Sequence, residues 1–311
     1  MPVFLLNKSL KELQEKPFIQ ERDMQLLVEA DLKQCFGLQF VASEFSPQGD
    51  LRIDTLAFDP EQKSFVIIEF KRGNSWSVID QGATYLSLLL DRRDSFVLKL
   101  NQMHNTRLMP KDIDWEASRV IFVAPSFNAY QEGSLGFRDL PIELWEIRRY
   151  ENGIIALNRI QTSRKNARLS DLDNTSGDLK KVRKEIKQYS VDDHFKEGWG
   201  DSRELFGILL SQLLKLHPNF AVNAMKGYIS LKLGWRNVYY IHVQKSGLVI
   251  DYARSQPKDF KDPEGRVKYV NGSMEYYNQH VSNFAIRSED DIPYAIMLAK
   301  QVLKKYDRNN S

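Results

Sequence analysis

The feature that most limits how this chain can fold is the apolar run SFVIIEF at residues 64–70, which contains one acidic residue, Glu69. A short run of this composition, preceded by the turn-forming segment 59–63, predicts a buried β-strand. A second strand-like segment, residues 51–58, lies before that turn. Together the two segments predict a hairpin whose loop is residues 60–63.

The simplest register of this hairpin places Asp59 opposite Ser64. Asp54 then lies opposite Glu69 and Arg52 lies opposite Lys71, and the alternation of side chains puts all of them on one face of the sheet. That face is ionic at its open end and apolar at its turn end, where it carries Leu56, Phe58, Phe65 and Ile67. The other face is almost wholly apolar and predicts a core contact; it carries Leu51, Ile53, Thr55, Ala57, Val66, Ile68 and Phe70. A slip of one residue would separate the two acids.

Directly opposed residues have Cβ atoms about 4.5–5.5 Å apart, so Asp54 and Glu69 need a proton or a cation between them. A hard divalent ion such as Mg²⁺ takes oxygen ligands of this kind. Lys71 follows on the same face, where an ammonium group can orient a water molecule and stabilise charge on a phosphate. The alternative is that these residues are ordinary charges at a strand end, since short motifs often occur by chance. The buried setting of Glu69 argues against that alternative, because an unpaired carboxylate there is costly.

The order of RID at 52–54, a turn, VIIEFKRG at 66–73 and a helix containing DQGATY at 80–85 resembles the PD-(D/E)XK nuclease superfamily. The resemblance is strongest to its RecB-like and endonuclease-like branch, and it covers about residues 1–160. Ile53 stands where many members have proline. The resemblance implies a mixed α/β fold, with a restriction-endonuclease-like core in which helices flank a central mixed sheet.

The same resemblance assigns roles to individual residues. Asp54 and Glu69 match the metal-binding acids, and Lys71 matches the lysine of the motif. Three further residues match supporting positions: Glu29 as an additional metal contact, and Gln81 and Tyr85 as a Gln-x-x-x-Tyr element that positions the site or the DNA. Gln81 and Tyr85 are four residues apart, so they share a helix face. The implied activity is hydrolysis of DNA phosphodiester bonds with Mg²⁺ or Mn²⁺.

Three segments follow from the pattern along the chain. Residues 1–160 form the nuclease-like domain, with helices predicted at 21–36 and 77–90, further strands at 38–45 and 119–124, and a hairpin at 142–149 and 154–160. Residues 161–189 are rich in Lys, Arg, Ser and Asp and predict a basic linker or exposed helical connector. Residues 190–311 predict a smaller α+β accessory domain, with helices at 201–216 and 290–306 and strands at 227–233, 236–243 and 248–253.

Basic residues beyond the motif offer candidate phosphate contacts. They are Arg72, the linker residues Arg164, Lys165, Arg168, Lys180, Lys181, Arg183 and Lys184, and a set in the second domain that is mixed with aromatic residues. That set includes Lys226, Tyr228, Lys232, Trp235, Arg236, Tyr239, Tyr240, Lys258, Lys261, Arg266 and Lys268. Side-chain alternation from Tyr228 onward favours a core role for about half of these aromatics over a nucleic-acid surface.

Composition and net charge limit the kinds of protein and the cellular compartments that fit this sequence. The net charge of +3 over 311 residues permits a nucleic-acid partner without requiring one. The single cysteine, Cys35, suits a reducing compartment, and the sequence shows neither a secretory signal nor a run of about 20 apolar residues. We therefore expect a cytoplasmic protein that does not act in the membrane. The resemblance adds DNA as the expected partner, and a homodimer or a larger complex is possible. The alternative function is a non-catalytic nucleic-acid-binding or protein-interaction module that keeps the nuclease fold.

Overall fold

The computed structural model describes residues 2–6, 9–47, 51–73, 77–133, 135, 141–160, 177–187 and 189–308. The chain divides into two compact units, Met1–Gln188 (unit 1) and Tyr189–Ser311 (unit 2). Unit 2 therefore begins one residue before the predicted boundary at 190. No helix in the described part of the chain is both long and apolar enough to span a membrane.

Unit 1 contains the site-bearing sheet and its helices. In chain order its elements are β1 (Phe4–Leu6), β2 (Leu10–Glu12), α1 (Glu21–Ala30), α2 (Leu32–Phe36), β3 (Gln39–Phe45), β4 (Ile53–Asp59), β5 (Ser64–Phe70), α3 (Val78–Asp91), α4 (Arg93–His104), β6 (Arg119–Ala124), α5 (Ala129–Gly133), β7 (Ile142–Arg149), β8 (Ile155–Arg159) and α6 (Gly177–Glu185). Strands β5 and β6 have the predicted bounds. The predicted helix 21–36 is divided at Asp31, whose side chain accepts a hydrogen bond of 3.2 Å from the Gln34 backbone N–H and starts α2.

Six strands from the described part of unit 1 form one mixed sheet in the order β3-β4-β5-β6-β7-β8. Strands β3, β4 and β5 are antiparallel, β5, β6 and β7 are parallel, and β8 is antiparallel to β7. Parallel neighbours require a long crossover connection, which α3 and α4 supply between β5 and β6. The mixed class of the fold, a mixed sheet with helices, agrees with the sequence prediction.

Both faces of the β4–β5 hairpin are covered. On one face the core includes Leu56, Phe58, Phe65 and Ile67 together with residues of α3, α4 and α6. On the other face it includes Ala57, Val66, Ile68 and Phe70 together with residues of α1 and α2. The hydrophobic run of β5 thus reflects burial on both sides, as is usual for a central strand in a sheet with parallel pairs.

Two residues depart from the predicted division of faces. Strict alternation assigns Leu51 and Ile53 to the face of Thr55, but both pack in the α3–α4 core. They stand at the open end of the hairpin, before the first residue pair of the β4–β5 ladder, Thr55 with Ile68. Ile53 still pairs with Phe45 of β3, which packs against the same core, so alternation along β4 alone does not decide which core Ile53 joins.

The predicted linker needs correction over its second half. Residues 161–176 lie outside the described residues, but α6 packs in the same core as α3, and Val182 and Ile186 are 0% and 2% exposed. Those two residues are four apart and form one apolar stripe among many charged neighbours. The basic composition of the segment concealed this stripe in the sequence. Because the stripe packs in the core of unit 1, residues 177–186 belong to that unit and are not a connector.

Gly82 of α3 lies close to the sheet. A β-carbon at Gly82 would lie 2.3 Å from Cδ1 of Ile142 on β7. We expect Gly82→Val to lower the free energy of unfolding of unit 1 by about 1–3 kcal/mol, because the added methyl groups overpack this contact. Urea denaturation measures the change. Gly207→Val is the control, since Gly207 is also helical and its β-carbon would meet nothing within 4 Å. Equal tolerance of both substitutions would contradict the close approach.

Unit 2 is an α+β unit. Its elements are α7 (Gly200–Leu214), β9 (Phe220–Ala224), β10 (Ile229–Leu233), β11 (Arg236–Gln244), β12 (Gly247–Ala253), β13 (Lys268–Tyr269), α8 (Ser273–Tyr277), β14 (Val281–Ile286) and α9 (Ile292–Arg308). Its strands form a sheet in the order β13-β14-β12-β11-β10-β9. Tyr239 and Tyr252 are fully buried, and their hydroxyls donate hydrogen bonds to carbonyls of α9 at 2.8 and 2.9 Å. Side-chain alternation predicted a core role for about half of the aromatic residues in the basic set of unit 2. That prediction is confirmed for Tyr239.

Candidate functional site

Asp54 and Glu69 lie next to each other on β4 and β5. The antiparallel register runs from Asp59 with Ser64 to Thr55 with Ile68, and the next position aligns Asp54 with Glu69. The Phe70 backbone N–H donates a hydrogen bond of 3.0 Å to Oδ2 of Asp54. The predicted register is confirmed over residues 55–59 and 64–68, and its continuation by one position brings two carboxylates close enough for the charge of Asp54 to act on Glu69.

Lys71 completes this cluster. It follows β5 directly, and its backbone N–H donates to the Val123 carbonyl of β6 at 2.9 Å. Its Nζ lies 2.6 Å from Oε1 of Glu69, and the two side chains are 18% and 4% exposed. A buried ion pair of this kind contributes little net stability to the fold once the loss of hydration is counted.

The electrostatics of the cluster follow from burial and from the close charges. Burial, and then the charge of Asp54, raises the pKa of Glu69 to about 7, although Lys71 and Tyr85 act in the opposite direction. Burial also raises the pKa of Asp54, against the hydrogen bond from Phe70 and the charge of Lys71. Burial lowers the pKa of Lys71, but the hydrogen bond to Glu69 and its charge outweigh burial, so this pKa is raised. At neutral pH, Glu69 is therefore only partly ionised, while Lys71 keeps its proton.

Helix α3 brings Tyr85 to the same cluster. The Tyr85 side chain is buried, and its hydroxyl donates a hydrogen bond of 3.3 Å to the Arg52 carbonyl. The phenol lies close to the Glu69 carboxylate, and burial together with the charge of that carboxylate raises the pKa of Tyr85. One helical turn earlier, Oε1 of Gln81 is buried and has no hydrogen-bond partner among the described residues. The Ser77 hydroxyl caps this helix by accepting from the Asp80 backbone N–H at 3.2 Å.

Glu29 is not brought to the cluster. Its Oε1 accepts hydrogen bonds from Nε2 of Gln25 at 3.0 Å and from Oγ1 of Thr55 at 2.6 Å. Thr55 faces the α1 side of the sheet, opposite to its neighbour Asp54. These bonds make Glu29 part of the contact between α1 and β4, and its role as a further metal contact stays a prediction.

Glu21, the first residue of α1, is the acid that sequence reasoning missed. The Arg72 backbone N–H, next to Lys71, donates a hydrogen bond of 2.8 Å to Oε1 of Glu21. The negative charge of Glu21 contributes to raising the pKa of both Asp54 and Lys71. The signal in the sequence was an acid at the start of the same helix, but only the packing angle of α1 decides which of its acids reaches the site.

A relative shows that both units belong to one family. An uncharacterised protein of Haemophilus influenzae strain Rd is 37% identical over 305 residues, which is 98% of this chain and 100% of that protein. The chain belongs to the family of that protein. The match includes residues of both units. No protein-family model matches the chain, and no solved structure matches it.

The donor set at Asp54 and Glu69 fits a hard divalent cation. Oε2 of Glu69 is buried and lacks a partner of normal hydrogen-bond geometry among the described residues, and buried oxygens of this kind are the ligands that Mg²⁺ and Mn²⁺ prefer. Within the described parts of the chain, no three His, Cys, Asp or Glu side chains are grouped to hold a metal. Such a site suits Mg²⁺, which binds few carboxylates and keeps several of its waters.

Several basic residues proposed as phosphate contacts have other partners. The guanidinium of Arg72 donates to the Ile19 carbonyl, and Lys181 pairs with Asp91. Tyr240 of unit 2 is fully buried, as Tyr239 is, and neither can stack on a base. The candidates Arg164, Lys165 and Arg168, and the side chains of Lys180 and Arg183, lie outside the described residues.

Proposed function

We propose that this protein is a metal-dependent nuclease that hydrolyses DNA phosphodiester bonds, with a restriction-endonuclease-like core in unit 1. The observation that carries the proposal is the alignment of two poorly exposed carboxylates, Asp54 and Glu69, with Lys71 in direct contact with the second. Perturbed titratable groups in such an arrangement are frequent at catalytic sites. The mixed sheet, with helices on both faces of its central hairpin, agrees with the family resemblance.

Each residue then has a distinct task. Asp54 and Glu69 would hold the cation, with the charge of Glu21 close by, and a bound divalent ion supplies Lewis acidity and an activated water. Lys71 stays protonated, so it acts as a positive charge and hydrogen-bond donor toward the phosphate and the attacking water, not as a base. If Glu69 held a cation, the positive charge of Lys71 would be available to the substrate. Tyr85 acts on Glu69 from α3, and Gln81, one turn earlier on that helix, supports the geometry of the site or contacts the DNA.

The test is cleavage of labelled single-stranded, duplex and forked DNA with Mg²⁺ or Mn²⁺. We expect Asp54→Ala to reduce cleavage by at least about 10²-fold, because it removes one of two carboxylate ligands. Glu132→Gln is the control, since Glu132 is an exposed acid of α5 in the same unit.

The outcomes separate the proposal from its rival. Metal-dependent cleavage that Asp54→Ala abolishes and Glu132→Gln preserves supports the nuclease. Absence of cleavage on every substrate, with no effect of Mn²⁺ on the stability of the wild type, contradicts it. That result would favour the non-catalytic nucleic-acid-binding or protein-interaction module.

A further inference from the structure

Glu44 on the edge strand β3 stands beside the cluster of acids. It lies between Ser43, which pairs with Thr55, and Phe45, which pairs with Ile53, so its neighbour across the ladder is Asp54. Its φ is +52°, in the left-handed region that a glutamate rarely adopts. The register of β3 also shifts between Phe40 and Ala42, and such irregularities redirect side chains near functional sites.

The Glu44 carboxylate holds two arginines at the edge of the site. Its Oε2 lies 2.7 Å from Nε of Arg52, and its Oε1 lies 3.1 Å from Nη1 of Arg22. The arginine side chains are 64% and 46% exposed, so both face solvent while Glu44 bridges them. Arg22 directly follows Glu21 on α1, and the carbonyl of Arg52 accepts the hydrogen bond from Tyr85. Both arginines are therefore tied to residues of the site.

A second set of bonds fixes this arrangement to Asp54. Nη1 of Arg22 donates to Oε1 of Gln25 at 2.9 Å, and Nε2 of Gln25 donates to the Asp54 carbonyl at 2.6 Å. The guanidinium of Arg22 thus has a defined position relative to the backbone that carries Asp54. Guanidinium groups bind phosphate through two parallel N–H bonds, and a position set in advance reduces the cost of binding.

We infer that Arg22 and Arg52 form a phosphate clamp for the nucleic-acid strand, and that Glu44 occupies the clamp until a phosphate displaces it. This inference rests on the proposed function and names the substrate contacts of that same site. Exposed ion pairs are worth little, so the Glu44 carboxylate is easily exchanged for a phosphate. In the absence of substrate the carboxylate keeps both arginines oriented at the edge of the acidic cluster.

The experiment measures binding of a fluorescein-labelled oligothymidylate to the full chain by anisotropy, with Ca²⁺ present, over a range of salt concentrations. We expect Arg22→Ala and Arg52→Ala each to raise Kd about tenfold, and each to reduce the slope of log Kd against log salt by about 0.7. Arg148→Ala is the matched control. Arg148 also pairs with a glutamate, Glu15, at 3.3 Å, but it lies on β7 toward the other edge of the sheet.

The role of Glu44 is tested by removing its negative charge. Glu44→Gln is expected to lower Kd about two- to fivefold, because the arginines no longer leave a carboxylate. Glu44→Asn is the second variant, since asparagine tolerates a positive φ and folds at this position without the strain of glutamate. Weaker binding in both variants would overturn the displacement role, and unchanged Kd in both arginine variants would overturn the clamp. A wild type that does not bind the oligonucleotide would overturn it as well.

Cleavage with Mg²⁺, measured on the same proteins, separates this inference from the proposed function. Cleavage that depends on Asp54, with Kd unchanged in Arg22→Ala and Arg52→Ala, would leave the nuclease standing and remove the clamp. Oligonucleotide binding that both arginine variants weaken, without cleavage of any substrate, would leave the clamp standing and remove the nuclease.

Discussion

Lys71→Met is expected to lower kcat for DNA cleavage by about 10²–10³-fold while Mn²⁺ still binds. The reason is that Lys71 supplies a positive donor where negative charge develops, and the loss of one such donor has an effect of this size. Asp54 and Glu69, which hold the cation in our proposal, are untouched. Single-turnover cleavage measures the rate, and isothermal titration with Mn²⁺ measures binding.

The substitution also changes the charge around Glu69. Without Lys71, the pKa of Glu69 loses an influence that lowers it, so we expect Mn²⁺ binding by the variant to need a higher pH than binding by the wild type. Lys33→Met is the control, because Lys33 is an exposed lysine of α2 in the same unit. A Lys71→Met enzyme that cleaves within a few fold of wild type at saturating metal would rule out the proposed role.

The stability of unit 1 without metal is expected to fall as pH rises from about 4.5 to 7. The pKa of Glu69 is raised from 4.5 to about 7 in the folded protein, chiefly by burial. Across this window the folded state keeps a proton that the unfolded chain has released, so the free energy of unfolding decreases with pH. The full change is about 3 kcal/mol. Asp54, whose pKa is also raised, acts in the same direction from a lower pH.

Hydrogen exchange of peptides from β4 and β5 measures this change in unit 1 alone, and Glu69→Gln isolates the contribution of Glu69. We expect the wild type to lose protection between pH 5 and 8 relative to Glu69→Gln. Mn²⁺ is expected to restore protection at pH 8, because the cation replaces the proton between the carboxylates. Parallel pH profiles of the two proteins would contradict the assignment of a raised pKa to Glu69.

The arrangement of the candidate site could be predicted from sequence because its main parts are close together along the chain. Asp54, Glu69 and Lys71 are joined by one hairpin with a short loop, and strand alternation determines which of their side chains share a face. The same local rules predicted β5 and β6 with their bounds, and they predicted a helix from about Ser77, one residue before α3 begins. The resemblance singled out Gln81 and Tyr85, and helical spacing predicted that they share one face of that helix.

Such local rules could not predict contacts between segments that are distant along the chain. Glu29 and Glu21 lie on the same helix, α1. Only the way this helix packs across β4 decides that Glu29 contacts Thr55 and that Glu21 contacts Arg72. The apolar stripe of Val182 and Ile186 became visible as core only when α6 packed with α3. The bridge from Glu44 to Arg22 joins a strand to a helix, and the φ of +52° that accompanies it has no signature in the local sequence.

The sequence by itself therefore determined the hairpin, its register, the pair of acids and the lysine beside them, because alternation and short loops are properties of adjacent residues. The tertiary structure alone decided which acid of α1 approaches that pair, how deeply Glu69 is buried and which arginines stand at the edge of the site. These features depend on how helices pack against both faces of the sheet. Packing brings together residues that are far apart along the chain, and the sequence between them does not predict that contact.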